Sequence, residues 1–253
     1  MSRELVANPP ASEKLVKETF RDLWTRSDPR SKTRLDPLSE DITEVLLALL
    51  PKPDGIRVLE AGSGTGRVSA LLAERGYEVT LLDISREALE ISREVFRIRH
   101  CRFQAIQGSI FALPVPDGFF DVIWNAGVIE HFHFDEQVEA LRELARALKP
   151  QGLLVTLNPS ARGRVYRAGK VIAELRGKWA VGQEFPVRTL QKHCLKLGFS
   201  LVHEEDVLPE HQFRFFGRYG DPFFAAGRQS QPIRLAYLKM FGGYLRLSVV
   251  RKG

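Results

Sequence analysis

The stretch VLEAGSGTGR, residues 58 to 67, constrains the fold more than any other part of the chain. An apolar run ends on an acid, and glycines then fall at Gly62, Gly64 and Gly66. The run reads as a buried strand. The glycines read as a tight turn whose backbone can approach a ligand, and the period from Val68 reads as a helix. Roughly 20 residues later a second apolar run closes on Asp83. A carboxylate there can accept hydrogen bonds from both hydroxyls of a ribose.

The alternation continues along the chain. The strand candidates IRVLEA, EVTLLDI, RFQAIQG, FDVIWNA, GLLVTLN and SLVHEEDVL are separated by the helical periods VSALLAERG, EALEISREVF, VEALRELARALKP and LQKHCLKLGF. Gly76 and Gly198 stand where a left-handed residue would end a helix. Strands alternating with helices imply right-handed crossovers. The expected fold is α/β, a Rossmann-like doubly wound sheet, mostly parallel and covered on both faces. Ligands of such sheets bind beyond the carboxyl ends of the strands, which is where Glu60 and Asp83 fall. Ahead of the sheet, Leu15, Val16, Phe20, Leu23 and Trp24 share one helical face. Ser27 to Pro37 reads as a loop, and Ile42, Val45, Leu46, Leu49 and Leu50 mark a second helix stopped near Pro51.

A chain of 253 residues with 44% apolar content can fill one large core, so a single domain over residues 1–253 is expected. No run reaches the roughly 18 to 20 apolar residues of a membrane span. The charged start lacks an apolar signal core, which makes a cytoplasmic protein the expectation. Cys101 and Cys194 are the only cysteines, too few for a disulfide framework. The net charge of +6 favours anionic partners weakly, because the basic residues are scattered.

The glycine spacing bears on which nucleotide is held. A dinucleotide loop runs G-x-G-x-x-G/A. Here the third glycine comes one residue early, and Arg67 takes the place of the last small residue. No Gly-Lys-Ser/Thr follows, as a P-loop would require. Glu60 would repel a pyrophosphate but could orient an amino or cationic group. The loop suits a nucleoside without phosphates.

These residues resemble motif I of the class I S-adenosylmethionine-dependent methyltransferases, acid-x-G-x-G-x-G. LLDIS at 81–85 is similar to their second motif, QGSIFALP at 107–114 to their third, and FDVIWNAGVIEHF at 120–132 to their fourth strand and its loop. LRELARALKPQGLLVTLNP at 141–159 resembles the helix, Lys-Pro-x-Gly turn and fifth strand, and FPVRTLQKHCLKLGF at 185–199 the helix after it. LRLSVVRKG would be the last of seven strands, antiparallel in that family. The resemblance implies S-adenosyl-L-methionine as cofactor. It implies that Glu60, Ala61, Gly62, Ser63, Gly64 and Gly66 hold it at the turn. Asp83 would take the ribose, Ile84, Ser109 and Ile110 the adenine, and Asn125 and Ala126 the methionine portion. Two features depart from the pattern. The third motif usually carries an acid where this chain has Ser109, and the connection from Pro209 to Tyr244 is long and aromatic for a hairpin.

The implied reaction moves a sulfonium methyl to a nucleophile of an acceptor, which requires in-line positioning and, for a protonated acceptor, a base. His131 is the candidate base. It has an equal second reading, in which Glu130 and His131 cap or orient the helix whose apolar face begins near Val138. His131 and His133 are two apart and no carboxylate or Cys pattern joins them, so no metal is expected. Asn125-Ala126-Gly127-Val128 lacks the Asn/Asp-Pro-Pro-aromatic pattern of base- and amide-N-methylating relatives. That favours a small-molecule acceptor through oxygen, carbon or nitrogen.

Residues 1–50 are expected as a helical cap, 51–159 as the cofactor-binding core, and 160–184 and 209–244 as lid segments. The basic 160–184 insertion reads as a solvated helix with Val165, Val171, Ile172 and Leu175 packed inward. The stretch HQFRFFGRYGDPFF reads as lid core. Base stacking on nucleic acid is the weaker alternative, since no recognised RNA-binding module accompanies it. Two other classes stay open. One is a nicotinamide-dependent oxidoreductase, against which the early third glycine, Arg67 and Glu60 count. The other is a non-catalytic methyltransferase-like scaffold, which Ser109 leaves open.

Overall fold

In the computed structural model, which describes residues 10–26 and 33–253, the alternation becomes one seven-stranded sheet. Its strands are β1 (Arg57–Ala61), β2 (Glu78–Asp83), β3 (Gln104–Gln107), β4 (Phe120–Ala126), β5 (Leu148–Pro159), β6 (Ser200–Val207) and β7 (Leu245–Arg251). Their order is β3-β2-β1-β4-β5-β7-β6. Strands β1 to β5 run parallel, and β7 inserts antiparallel to both β5 and β6. The doubly wound sheet and its antiparallel last strand are as expected. The strand order reverses at β1, so the crevice between the ends of β1 and β4 is a topological switch point, the usual ligand position.

The helices are α1 (Ala11–Arg26), α2 (Pro37–Leu47), α3 (Arg67–Glu74), α4 (Arg86–Ile98), α5 (Phe134–Ala147), α6 (Arg164–Leu175), α7 (Gln191–Leu197), α8 (Asp221–Gln229) and α9 (Gln231–Phe241). Successive strand residues feed opposite faces. Leu59, Ile123 and Leu154 pack with Leu141 and Leu144 of α5. Their neighbours Val58, Val122 and Val155 pack with Leu46 of α2, Leu72 of α3 and Phe96 of α4. Both faces are covered, which is why the central strands read as continuous apolar runs. Each such side chain contributes about 1.5 to 3 kcal/mol by leaving water.

Polar contacts fix the helices that reach the ligand end of the sheet. Asp36 caps α2 by accepting from Ser39 N at 3.0 Å, and its other oxygen pairs with Arg67 at 2.6 Å. One carboxylate thus joins the start of α2 to the start of α3; such a cap alone is worth about 1 kcal/mol. On α1, Ser12 Oγ donates to Glu136 Oε1 of α5 at 2.7 Å. No described helix is long and apolar enough to cross a membrane.

Three readings need correction or restriction. Of the expected loop at 27–37, residues 27–32 lie outside the described residues, as do residues 1–9 of the cap. Pro37 is the first residue of α2, where its fixed φ suits a helix start. The 209–244 connection folds as a 3-10 stretch, Pro209–Tyr219, followed by α8 and α9. Finally, α6 is turned the other way round. Tyr166 and Gly169 face inward, while Val171, Ile172 and Leu175 are exposed. The tight seat of Gly169 against Phe215 decides this, since a Cβ there would come within 3.1 Å of that side chain.

Candidate active site

The turn after β1 is held by backbone bonds. Gly62 N and Ser63 N donate to Leu82 O at 2.8 and 3.0 Å, tying the loop to the end of β2. Asp83 completes the tie. Its Oδ2 accepts from Gly64 N at 2.7 Å and its Oδ1 from Ser85 N at 2.8 Å. Gly62 and Gly66 both have left-handed backbone, for different reasons. A Cβ on Gly62 would come within 2.6 Å of Val128 at the cavity wall. A Cβ on Gly66 would come within 2.7 Å of Leu81, so that glycine serves the packing of α3 on the sheet.

A cavity opens beyond these strand ends. Of the residues expected to form the site, Glu60, Gly62, Ser63, Gly64, Asp83, Ile84, Ile110, Ala126 and His131 line it. Ala61, Gly66, Ser109 and Asn125 are not among its lining. Ala61 points into the core, and Asn125 is fully buried with neither amide atom hydrogen-bonded. The sequence reading missed the roof. Glu13, Val16, Phe20 and Trp24, on one face of α1, close over the cavity. The α1 pattern was visible as an amphipathic helix, but nothing in it said what its apolar face covers.

Ser109 does not line the cavity and is bonded instead to α1. Its Oγ donates to Glu13 Oε1 at 2.5 Å and accepts from Phe111 N at 2.9 Å. The acid missing from the third motif is therefore replaced in space by a carboxylate from α1.

The cavity is acidic. Glu60 is 6% exposed and its Oε2 has no hydrogen-bond partner. Burial, reinforced by the Asp83 charge, pushes its carboxyl up to about 8. Burial also raises Asp83, although the amides of Ser85 and Gly64 pull it back. The cation nearest the turn, Arg67, is already engaged by Asp36. An uncompensated buried carboxylate is costly, and a ligand carrying a cation would relieve it. A ligand with an ammonium group and vicinal hydroxyls fits this donor and acceptor set.

His131 sits at the wall nearest the β4 end, in the 3-10 turn Ile129–His131. Its Nδ1 is 2.9 Å from Gln183 O. A carbonyl only accepts, so Nδ1 carries the proton and Nε2 carries the lone pair. Burial lowers its pKa, and the Phe20 ring meets it edge-on at 5.2 Å. Glu130 lies behind, with Oε1 3.9 Å from His131 Nε2 and Oε2 unpartnered. Burial, with Glu184 nearby, pushes the Glu130 carboxyl up to about 8. Arg167 engages Glu184 at 2.7 Å instead. Helix α5 is capped by His133 and Glu136, so His131 is not needed as its cap.

Away from the cavity, Asp41, Glu210 and His211 bring ligand-type atoms within 4.8 Å of one another. Arg228 and Arg234 pair with the two carboxylates, which marks a charge network tying the lid to α2.

A sequence profile described as a methyltransferase domain matches residues 59–156, the span from β1 to β5 that carries the glycine turn, Asp83 and His131. Over that span the chain resembles the class I S-adenosylmethionine-dependent methyltransferases. S-adenosylmethionine is the cofactor of this family. Among relatives of this chain, a malonyl-[acyl-carrier protein] O-methyltransferase of Pectobacterium atrosepticum is 29% identical, over 69% of this chain and 66% of that protein. The enzyme of the same name from Serratia marcescens is 28% identical, over 66% of this chain and 63% of its own length. The chain thus aligns with slightly under two thirds of each of these relatives. The ubiquinone/menaquinone biosynthesis C-methyltransferase UbiE of Yersinia pestis is 38% identical, over 41% of this chain and 42% of that protein. In fold, the chain is similar to magnesium protoporphyrin IX methyltransferase of Synechocystis with bound SAH, with a TM-score of 0.64 at 14% identity, over 96% of this chain and all of that one.

Proposed function

We propose that this chain transfers the methyl group of S-adenosyl-L-methionine to a small-molecule acceptor. The observation that carries the reading is the pair of buried acids, Glu60 and Asp83, facing one cavity at the glycine turn. When bound, S-adenosylmethionine supplies a methyl group already activated by its sulfonium. The protein then has to bind, orient and exclude water. In this reading Glu60 receives the ammonium group and Asp83 the ribose hydroxyls, using lone pairs left free by its two amide bonds. Gly62, Ser63 and Gly64 supply the close backbone wall. Ile84 and Ile110 pack on the adenine, Glu13 accepts from its amino group, and Ala126 borders the methionine portion. Ala61, Gly66 and Asn125 support the wall from behind, and Ser109 acts by holding Glu13. Residues 51–159 form the cofactor core, with the N-terminal helices and the 160–184 and 209–244 segments as cap and lid.

In this reading His131, which lines the cavity, takes a proton through Nε2 from an acceptor entering beside Ala126 and Val128. The acceptor atom is oxygen, carbon or nitrogen; relatives named as O- and C-methyltransferases support the first two. A carboxylate oxygen would need no base, whereas a protonated oxygen or carbon acceptor would. A cytoplasmic location suits such a small-molecule enzyme. The test is incubation with methyl-labelled S-adenosylmethionine and a panel of small acids, hydroxyquinones and amines. Label should pass to at least one acceptor in wild type, and about tenfold or more slowly with Asp83→Ala at subsaturating cofactor. Cofactor binding with no transfer across a broad panel would favour the non-catalytic scaffold.

A further inference from the structure

We propose that the outer face of the lid docks on an anionic lipid surface. Residues 160–184 and 209–244 hold eleven Lys and Arg against four Asp and Glu, a balance of +7 where the whole chain carries +6. The positive charge of the molecule therefore belongs to the lid. On α6, Val171, Ile172 and Leu175 share one outward face, and Leu175 is 83% exposed. No described residue covers this stripe. In the 3-10 stretch that packs against the inward face of α6, Phe216 and Tyr219 are also exposed. The same segments carry Arg176, Lys178, Arg214 and Arg218, all exposed and without an ion-pair partner among the described residues. Arg214 and Arg218 lie over the rings of Phe224 and Tyr219.

Exposed aliphatic and aromatic tips together with free cations are the composition of a surface that rests in the lipid headgroup region. The tips enter the acyl boundary and the cations stay with the phosphates. The tips protrude, which suits a deformable phase better than a protein that would need matching pockets. A second copy of this chain would bring +7 against +7 on the same face, an arrangement that like-charge repulsion opposes. The lid also touches the site, because Gln183 holds His131. Resting on the functional reading above, lid docking would bring the cavity mouth towards a lipophilic acceptor; the docking itself does not depend on that reading.

The test is cosedimentation of the full chain with vesicles of equal parts phosphatidylglycerol and phosphatidylcholine, against phosphatidylcholine alone. The expected result is binding to the anionic vesicles only, lost at about 0.5 M salt, where screening is strong. The double variant Ile172→Glu with Leu175→Glu should bind at least about tenfold more weakly, and Arg176→Glu with Lys178→Glu about tenfold or more. Melting temperatures should stay close to wild type, because all four side chains are exposed. Failure to sediment with anionic vesicles overturns the proposal, as does equal binding by the double variants. A dimer in sedimentation velocity that Leu175→Glu disperses would assign the face to a second copy. Binding to polyglutamate without vesicle binding would assign it to an acidic protein. Either outcome overturns the lipid assignment, and neither bears on methyl transfer.

Discussion

Glu13 and Ser109, 96 residues apart in sequence, meet in a 2.5 Å hydrogen bond that sets the Glu13 carboxylate in the cavity wall. Burial raises the pKa of that carboxyl while the Ser109 hydroxyl opposes the shift. In the proposed reading this bond gives α1 a part in cofactor binding as well as in covering the site.

Glu13→Ala should therefore weaken S-adenosylhomocysteine binding by about tenfold or more, the scale of one hydrogen bond to a charged group. Glu13→Gln keeps the length and loses the charge, so it should fall between. Calorimetry checks both. Wild-type affinity in Glu13→Ala would remove α1 from adenine recognition.

Glu60 links binding to stability. Its ordinary value of 4.5 rises to about 8 in the folded protein. Folding therefore takes up a proton between those values, and the stability present at low pH is lost as pH rises towards 8. Glu60→Gln mimics the protonated form. Without cofactor it should be more stable than wild type at pH 8 by on the order of 2 kcal/mol, a gap that closes near pH 5. The same variant should bind cofactor at least about tenfold more weakly. A variant that melts like wild type at pH 8 would show that Glu60 is not held in a desolvated state.

His131 has its lone pair on Nε2 and a pKa lowered by burial. If it removes a proton from the acceptor, His131→Ala should slow transfer by about 10² to 10⁴ with cofactor affinity barely changed. His131→Gln should not restore the rate, because an amide takes no proton. In wild type the rate should rise with pH through an apparent value below the ordinary 6.5 of histidine. Near-full activity in His131→Gln would make the residue a positioning group and the acceptor a nucleophile at neutral pH.

What the sequence makes legible is local. The turn from Glu60 to Gly66 and the acid at Asp83 are contiguous strand-end signals, and the structure brings most of them to one cavity. Contacts across the chain leave no such mark. Nothing in the spacing of Glu13 and Ser109 says that they meet. Periodicity found α6 but not its orientation, because the inward choice was made by a glycine fitting Phe215 rather than by the aliphatic stripe. The helices α8 and α9 escaped for another reason. In α8 the apolar groups are the adjacent Phe223 and Phe224 beside Pro222 and Gly227, and in α9 Ile233, Leu235 and Tyr237 alternate before Leu238, so a helical period does not stand out.

The central claim is that the acids at the glycine turn hold S-adenosylmethionine. The most direct test is a calorimetric titration of S-adenosylmethionine, with NADH as competitor ligand, into wild type and Asp83→Ala. The account predicts one site in wild type, no tight uptake of NADH, and binding at least about tenfold weaker in Asp83→Ala with the circular dichroism spectrum unchanged. Tight NADH binding without S-adenosylmethionine binding, or equal S-adenosylmethionine affinity in the two proteins, would contradict it.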